Sequence, residues 1–373
     1  MAKVAYSGPG INSPLKSASL PPGVDQCRII AAEGVLLSER QVLLRKWLRQ
    51  VLGGEQPELS AASSDASFRR YWRLAHHGQS LIAVDAPPET ENNAAFVRMA
   101  RALGEIGLNV PLILAEDQAR GFLLVSDLGE RPYLERLKRA NVERSDVERL
   151  YSDAMAALLV LQTAGPRHDL PEYDAAFLDR ELRLFDQWLL EGLLGLHCTD
   201  AERTMLEETY QCLIASALEQ PRVCVHRDFH SRNLMLCDRS NPGILDFQDA
   251  VLGPISYDLV SLLKDCYVDW PAAWVADWVD DYLDLAVQSA ILRTEHRSHF
   301  VRWFDLMGIQ RHLKAAGIFA RLALRDAKLD YLGDLPRTLG YVIEAGHRHA
   351  PLGRLAEFVE ERVMPGLPAS GSQ

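Results

Sequence analysis

The sequence predicts an α+β protein with two lobes, a small β-rich lobe followed by a larger and mainly helical one. A chain of 373 residues is long enough for two compact units around a shared cleft. Apolar runs of strand length are frequent up to about residue 130, and helical periodicity dominates after it. We therefore predict a first lobe at residues 36–130 and a second lobe at residues 131–365.

Both ends of the chain differ in composition from the two lobes. Gly, Pro and Ser are frequent in residues 1–35 and again in residues 366–373, a bias typical of segments that do not pack into a core. We expect a disordered extension at the start and a flexible tail at the end. No apolar run has the length of a signal-peptide core or a membrane span. The sequence therefore predicts a cytoplasmic protein that does not enter a membrane.

The charge of the chain narrows its expected partners. The 40 Lys and Arg residues are outnumbered by 51 Asp and Glu residues, which gives a formal net charge of -11. This balance disfavours nonspecific binding of nucleic acid or anionic lipid and favours a small-molecule ligand. Six cysteines without a CxxC pair are typical of a reducing compartment. No segment indicates an obligate protein partner.

The first lobe is predicted to contain two helices and a small sheet. "LSERQVLLRKWLRQVLG" and "AAFVRMARALGEI" both have apolar residues at helical spacing. Between them, residues 71–74 and 81–84 predict two strands joined by a turn at His77 and Gly78. "VPLIL" and "GFLLVSDLG" predict two further strands.

The second lobe is predicted to be helical with one β interruption. Ser145 and Glu148 have the spacing of a capping box ahead of the helical pattern "VERLYSDAMAALLVLQ". Three short apolar runs, "VCVH", "LMLC" and "ILDF", predict strands within the helical region. The polar stretch "VHRDFHSRNL" connects the first two of them.

That polar stretch carries the strongest functional signal in the chain. Four residues separate Asp228 from Asn233, and Asp246 follows in "ILDF". Phosphoryl transfer from a nucleotide needs a carboxylate that orients the acceptor hydroxyl, and oxygen ligands for magnesium. We predict that Asp228 is catalytic, that Asn233 and Asp246 bind magnesium, and that a catalytic Arg232 neutralises charge on the transferred group. An ordinary polar turn is the alternative interpretation.

At these residues the sequence resembles the protein-kinase-like superfamily, and within it the aminoglycoside phosphotransferase and choline kinase branch. His226, Asp228, His230 and Asn233 match the HxDxHxxN loop of that branch, and Asp246 matches its magnesium aspartate. The resemblance implies a bilobal protein-kinase-like fold with ATP and Mg²⁺ in the cleft.

A closer resemblance covers most of the chain after about residue 35. "SDASFRRY", "GFLLVSDLG", "HRDFHSRNLM", "ILDFQDA" and "QRHLKAAGIFARL" resemble bacterial cell-wall amino-sugar kinases, which phosphorylate N-acetylmuramate and N-acetylglucosamine at the anomeric hydroxyl in peptidoglycan recycling. The resemblance implies an ATP-dependent kinase of a small amino sugar, in which Asp258 supports the catalytic loop from beneath. An aminoglycoside or another small alcohol is an alternative acceptor, and a nucleotide-binding pseudokinase is an alternative of a different class.

The first lobe departs from protein kinases at the phosphate-binding positions. "SSDASFRR" replaces a glycine-rich loop, so we predict that Ser64, Ser67 and Arg69 hold the nucleotide phosphates together with backbone N–H groups. Asp85 stands where a phosphate-binding lysine is expected, and it should pair with a cation or turn away. An arginine is expected to replace the lysine, and the candidates are Arg69, Arg70, Arg98 and Arg101.

The segment "LLVSDLG" is the predicted hinge between the lobes. Backbone groups of Val125 and Asp127 are expected to bind the adenine of the nucleotide there. A buried edge strand that runs into a loop is the alternative interpretation of the same residues.

Two helical segments are candidates for binding the acceptor. "ELRLFDQWLL" places Glu181 and Trp188 on one face, where a carboxylate and an aromatic ring can bind a sugar. "QRHLKAAGIF" offers Arg311 or Lys314 to the lactyl carboxylate of muramate. The alternatives are a core position for Trp188 and a solvated helix face for the two cations.

Overall fold

A five-stranded antiparallel sheet forms the first lobe. The computed structural model describes residues 29–30, 36–63 and 68–368. The elements of this lobe are β1 (Ile29–Ile30), β2 (Leu36–Leu37), α1 (Glu39–Val51), β3 (Ser60–Ser63), β4 (Arg70–His76), β5 (Gln79–Asp85), α2 (Asn93–Glu105), β6 (Ile113–Asp117) and β7 (Phe122–Ser126). The strand order of the sheet is β3-β4-β5-β7-β6, and β1 pairs separately with β2. The predicted extension and tail lie largely outside the described residues.

The two faces of this sheet are buried by different partners, because side chains alternate along each strand. Leu81 and Ala83 of β5 pack on the face that α1 covers with Trp47. Val84 of β5 and Val125 of β7 pack on the opposite face, in the core that is shared with α2 and the second lobe. The alternation therefore decides which side chains of β5 are directed toward the second lobe.

The second lobe is mainly helical, and the predicted bilobal α+β fold class is confirmed. Its elements are α3 (Tyr133–Leu137), α4 (Arg144–Ala164), α5 (Ala175–Leu184), α6 (Asp200–Leu218), β8 (Arg222–Val225), β9 (Leu234–Met235), β10 (Gly243–Ile244), β11 (Val251–Pro254), α7 (Tyr257–Leu263), α8 (Ala272–Gln288), α9 (Arg297–Asp326), α10 (Leu335–Arg348) and α11 (Gly353–Phe358). Wider π-helical turns follow α5 and α11, at Phe185–Leu193 and Val359–Val363. Within the described part of the chain, no helix is both long and apolar enough to span a bilayer.

The capping box predicted at Ser145 and Glu148 is wrong. Helix α4 begins at Arg144, one residue before Ser145. The residue that precedes the helix is Glu143, which makes no side-chain capping bond. Ser145 therefore lies inside the first turn rather than at its boundary. A capping box is present instead at α6, where Thr199 and Glu202 bond each other's backbone N–H groups.

Four short strands interrupt the helices and frame the polar stretch. β8 pairs antiparallel with β11, and β9 pairs antiparallel with β10. Three of these strands correspond to the predicted apolar runs, whereas β11 was not predicted. The stretch from His226 to Asn233 thus connects β8 to β9, and Asp246 comes two residues after the end of β10.

Helix α9 runs through the second lobe and is buried on nearly all sides. It packs against α5, α6, α7, α10 and the π-helical turn that follows α5. Gly317 permits the close approach to α5, because a Cβ atom there would lie 2.4 Å from the carbonyl oxygen of Leu184. Backbone atoms cannot yield as a flexible side chain would, so only glycine fits at this crossing.

We predict that Gly317→Ala lowers the free energy of unfolding by about 1–3 kcal/mol, because the added methyl group overpacks the helix crossing. Gly340→Ala is the matched control, since Gly340 lies in α10 and a Cβ atom there meets nothing within 4 Å. The control should gain roughly 0.5–1 kcal/mol from the better helix propensity of alanine. Urea unfolding of the three proteins measures both changes, and equal shifts for both variants would contradict the close approach.

Candidate active site

One carboxylate attaches the polar stretch after β8 to helix α7. The backbone N–H groups of His226 and Arg227 donate to Asp258 at 2.7 and 3.0 Å. Asp258 lies in the first turn of α7 and is fully buried. Burial raises the pKa of Asp258, against the opposing effects of His226 and of the two N–H donors. This position agrees with the support from beneath that the resemblance implies.

His226 connects the loop to the strand that precedes Asp246. Its Nδ1 accepts the backbone N–H of Asp228 at 3.3 Å, so its Nε2 carries the proton and donates to the carbonyl of Leu245 at 3.0 Å. Burial lowers the pKa of His226, which favours this neutral ring. Arg227 has a φ of 79°, in the left-handed region, and so turns the chain sharply just before Asp228.

Asp265 holds the far end of the loop. Its Oδ2 accepts hydrogen bonds from the backbone N–H and the hydroxyl of Ser231, at 3.0 and 2.5 Å. Its Oδ1 accepts the backbone N–H of Tyr267 at 3.0 Å. Sequence reasoning missed this residue, although an aspartate among the apolar residues of "LVSLLKDCY" was a usable signal.

Asp228 is ionised at neutral pH. Burial alone would raise its pKa, but Lys314, then His230, Arg311 and Arg227, together outweigh burial and hold the pKa of Asp228 at about 2. The carboxylate lines a cavity of about 80 Å³ together with Lys314, Arg311 and Tyr257. A charged acceptor of hydrogen bonds thus lies where a hydroxyl group of a small molecule can enter.

The predicted magnesium ligands lie close together. The amide nitrogen of Asn233 is 3.5 Å from Oδ2 of Asp246 and donates to the carbonyl of Asp228 at 3.0 Å. Gln248, which sequence reasoning missed although it lies in "ILDFQDA", donates to Oδ1 of Asp246 at 2.7 Å. The other amide atom of Gln248, Oε1, is buried and has no hydrogen-bond partner among the described residues. These carboxylate and amide oxygens are the donors that a hard cation such as Mg²⁺ prefers, so the residues fit that ion.

Glu181 lies beside the cavity and is held by cations. Its carboxylate is 3.0 Å from Nζ of Lys314 and forms a close ion pair with Arg227. Tyr173 also donates its hydroxyl to Glu181. Burial raises the pKa of Glu181, but the positive charges of Lys314 and Arg227 lower it by more than that. The pKa is therefore lowered overall, and the group remains charged. These contacts position Lys314, whose Nζ also donates to Tyr257 at 2.9 Å.

Arg311 is a cation with unused bonding capacity at the cavity. It is 5% exposed, and Nη1 lies 3.7 Å from the sulfur of Cys266. Its Nε is buried and has no hydrogen-bond partner in the described part of the chain. Because a buried guanidinium N–H without an acceptor is costly, this group is suited to an anionic ligand.

Trp188 and Arg232, like Glu181, are not among the described residues that line this cavity. Trp188 is half-buried and packs against the hydrophobic core. Trp188 lies in the π-helical turn, which has more residues per turn than an α-helix. Trp188 and Glu181 therefore do not share one face as they would on a continuous α-helix. The guanidinium of Arg232 lies over the rings of Tyr267 and Tyr331, 4.0 and 5.0 Å from their centroids. Its phosphate contact stays a prediction.

The predicted hinge spans the end of β7. Val125 is buried within β7, whereas Asp127 lies just beyond it. Asp127 accepts hydrogen bonds from Arg73 at 2.6 Å, from the hydroxyl of Ser80 at 2.5 Å and from the backbone N–H of Gly129 at 2.9 Å. Burial raises the pKa of Asp127, but these donors, Arg73 first, lower it overall. The side chain of Asp127 is therefore bonded within the protein, and the role of these residues as a nucleotide-binding hinge stays a prediction.

Arg69 lies where the first lobe meets the predicted magnesium site. Its Nε is 3.2 Å from Glu91, just ahead of α2, and its guanidinium is 5.4 Å from the ring of Phe96. Phe96 stacks in turn on Phe247, the neighbour of Asp246, with 5.1 Å between centroids. Ser64 and Ser67, the other predicted phosphate contacts, lie outside the described residues.

Asp85 turns away from the cleft and pairs with a cation, as required of a carboxylate at this position. It belongs to the β5 positions that face α1, and its Oδ1 accepts from Nε of Arg40 at 2.8 Å. Asp85 is 1% exposed, so the ion pair with Arg40 compensates a buried charge. None of the arginines considered as replacements for the lysine is this partner.

The chain is similar to known phosphotransferases in sequence and in structure. The family model described as "Phosphotransferase enzyme family" matches residues 58–298. Among solved structures, the choline kinase LicA from Streptococcus pneumoniae superimposes with a TM-score of 0.57 at 10% identity, over 82% of this chain and 99% of that one. The ADP-bound aminoglycoside phosphotransferase APH(2'')-Ib superimposes with a TM-score of 0.52 at 15% identity, over 80% of this chain and 97% of that one. Both structural similarities concern the fold.

Proteins found by sequence comparison have a higher identity to this chain than these solved structures. The N-acetylmuramate/N-acetylglucosamine kinase of Pseudomonas putida is 46% identical over 310 residues, which are 83% of this chain and 90% of the relative. The kinase of the same name from Neisseria meningitidis is 40% identical over 87% of this chain and 96% of the relative. The chain therefore belongs to the phosphotransferase enzyme family and, within it, to the family of N-acetylmuramate/N-acetylglucosamine kinases.

Proposed function

We propose that this protein transfers the γ-phosphoryl group of ATP to the anomeric hydroxyl of N-acetylmuramate, N-acetylglucosamine or both, in the recycling of peptidoglycan sugars. One observation carries the proposal. The ionised carboxylate of Asp228 lines a small cavity with buried cations, and the backbone carbonyl of the same residue bonds Asn233, which lies 3.5 Å from Asp246 on the oxygen-rich side. The oxygen-rich side suits a metal-bound nucleotide, and the cavity suits a polar acceptor.

Asp228 orients the acceptor more than it deprotonates it. A pKa of about 2 makes this carboxylate a weak base, and an efficient general base has a pKa near the operating pH. Phosphoryl transfer through a loose transition state requires mainly that the hydroxyl be aligned with the transferred group. Asp228 accepts the hydrogen bond of the sugar hydroxyl and takes its proton late, when bonding to phosphorus has made that hydroxyl more acidic.

The nucleotide is proposed to lie between the hinge and the catalytic loop. The hinge backbone at Val125 and Asp127 binds adenine, while Asn233 and Asp246 hold Mg²⁺. Bound magnesium neutralises charge on the phosphates during transfer. Arg69 supplies the positive charge that a strand lysine supplies in protein kinases. Its guanidinium pairs with Glu91 and lies over Phe96, which stacks on Phe247 beside Asp246.

The acceptor cavity favours an anionic or neutral sugar. Arg311 has an N–H group without a partner among the described residues, whereas Lys314 is already bound by Glu181 and Tyr257. We therefore assign the lactyl carboxylate of muramate to Arg311. Two buried cations would repel a polycationic aminoglycoside, and the retained Asp228 argues against a pseudokinase.

The proposed reaction is tested by incubating the protein with ATP, Mg²⁺ and each candidate acceptor, and following the products by ³¹P NMR. We expect a sugar 1-phosphate from N-acetylmuramate or N-acetylglucosamine, with the coupling of an anomeric phosphate. Phosphorylation of aminoglycosides alone, or no phosphorylation of any acceptor, would overturn the proposal.

Asp228→Asn should lower kcat by roughly 10²–10⁴-fold and leave the KM for ATP nearly unchanged, because the amide cannot accept a proton. Asp238→Asn is the control, since Asp238 is an exposed aspartate a few residues beyond the loop, with 96% of its side chain accessible. Steady-state kinetics at saturating sugar gives both constants. Activity of Asp228→Asn within about tenfold of the unmodified protein would remove Asp228 from the mechanism.

Arg69→Ala should raise the KM for ATP by more than about tenfold, because it removes a charge proposed to bind phosphate. Arg101→Ala is the matched control, since Arg101 is more exposed and pairs with Glu116. Thermal denaturation of both variants establishes that they are folded. If neither substitution changes the KM for ATP, an arginine at position 69 does not replace the lysine.

Arg311→Gln should lower kcat/KM for N-acetylmuramate about tenfold or more beyond its effect on N-acetylglucosamine, since hydrogen bonds to charged groups contribute about 1.5–3 kcal/mol. Arg325→Gln, an exposed substitution on the same helix, controls for the loss of a positive charge. The two sugars are compared in parallel with each variant. Equal losses on both sugars would contradict recognition of the carboxylate by Arg311.

A further inference from the structure

A further group of side chains that could bind a metal ion lies in the first lobe. It consists of Glu55, His76 and His77, and the atoms that each can offer to a metal all lie within 4.8 Å of one another. His76 is the last residue of β4, whereas Glu55 belongs to the segment that follows α1. Arg70, which adjoins the nucleotide side through Arg69, is at the opposite end of β4. The group is therefore separate from Asn233 and Asp246.

The hairpin turn explains how two consecutive histidines come together. Neighbouring side chains on a strand point to opposite faces, which would separate His76 from His77. The turn between β4 and β5 consists of His77 and Gly78, with φ values of 49° and 76°. Two left-handed residues give the tight two-residue connection typical of hairpins. The resulting bend brings the two imidazole rings to 4.0 Å between centroids.

Glu55 completes the set from a different part of the chain. Its Oε2 is 2.9 Å from Nδ1 of His76, and the carboxylate side chain is 59% exposed. This contact involves only Glu55 and His76, whereas the ligand atoms of all three residues converge. Partial exposure gives an ion a path to the site, and solvent can fill the remaining coordination positions.

We propose that Glu55, His76 and His77 bind a divalent transition-metal ion, with Zn²⁺ as the ion that the donors fit best. Two imidazole nitrogens and one carboxylate oxygen are a ligand set that zinc takes with a water molecule in the fourth position. Imidazole donors disfavour Mg²⁺ and Ca²⁺, which prefer oxygen. The bound ion connects the segment after α1 to the β4–β5 hairpin, and so stabilises the outer side of the sheet.

The proposal is tested by titrating the full chain with Co²⁺ as a coloured substitute for Zn²⁺, with excess Mg²⁺ present to occupy hard-oxygen sites. We expect visible bands of four- or five-coordinate cobalt, without the charge-transfer band of a cysteine ligand. Added Zn²⁺ should displace the cobalt stoichiometrically, and competition with a coloured chelator then gives the Kd for Zn²⁺. The absence of such bands would overturn the proposal.

Three variants identify the ligands: Glu55→Gln, His76→Gln and His77→Asn. Asparagine is chosen at position 77 because it tolerates the left-handed backbone. Each variant should weaken Zn²⁺ binding at least tenfold, since loss of groups that merely support metal ligands already costs about 10–100-fold. His347→Gln is the matched control, because His347 and Glu360 form another exposed His–Glu pair, at 3.2 Å.

Melting curves recorded without metal separate loss of a ligand from loss of structure. The variants should melt like the unmodified protein in the absence of metal, and only the unmodified protein and His347→Gln should then bind cobalt tightly. If the unmodified protein, the three ligand variants and His347→Gln all had the same Kd for Zn²⁺, the ion would be bound by other groups. That result would overturn the proposed site.

Discussion

The hydrogen bonds from the backbone of His226 and Arg227 to Asp258 are the constraint on which the candidate site depends. They attach the start of the candidate catalytic loop to a buried helix, at the point where Arg227 adopts a left-handed φ of 79°. His226 then bonds both the backbone of Asp228 and the carbonyl of Leu245, which directly precedes Asp246. The predicted base and the predicted metal ligand are therefore positioned by one connected set of bonds, with no contact between their own side chains required.

A second constraint is the balance of buried charge around the cavity that Asp228 lines. Asp228 remains ionised because Lys314, His230 and Arg311 lie near it, and Lys314 remains charged because Glu181 compensates it. A buried charge without such compensation would be destabilising by several kcal/mol. Because helix α9 carries Lys314 and Arg311 and is packed on nearly all sides, the balance can be maintained only while the helices of the second lobe keep their positions. The charge of Asp228, in the polar stretch after β8, thus depends on the position of the α9 cations that line the same cavity.

The first lobe shows how one structural rule resolves an apparent conflict in the sequence. Asp85 stands at the position of a phosphate-binding lysine, and a carboxylate there would repel a nucleotide. Strand alternation directs Asp85 to the α1 face, where Arg40 neutralises it. The cleft therefore receives no negative charge from this strand. Arg69, the residue before β4, places its guanidinium over Phe96, one of the two stacked rings beside the candidate catalytic loop.

The sequence by itself determined the bilobal fold class, most strands and helices, and the composition of the catalytic loop. These features depend on local periodicity and on a motif of eight consecutive residues, both visible without coordinates. Tertiary structure alone decided the partners of three further residues: Arg40 for Asp85, Asp265 for Ser231 and Glu181 for Lys314. It also decided the direction of Trp188, which lies in a π-helical turn, and the proximity of Glu55 to His76 and His77. Pairings between distant residues depend on how elements pack, and one sequence carries little local record of that packing.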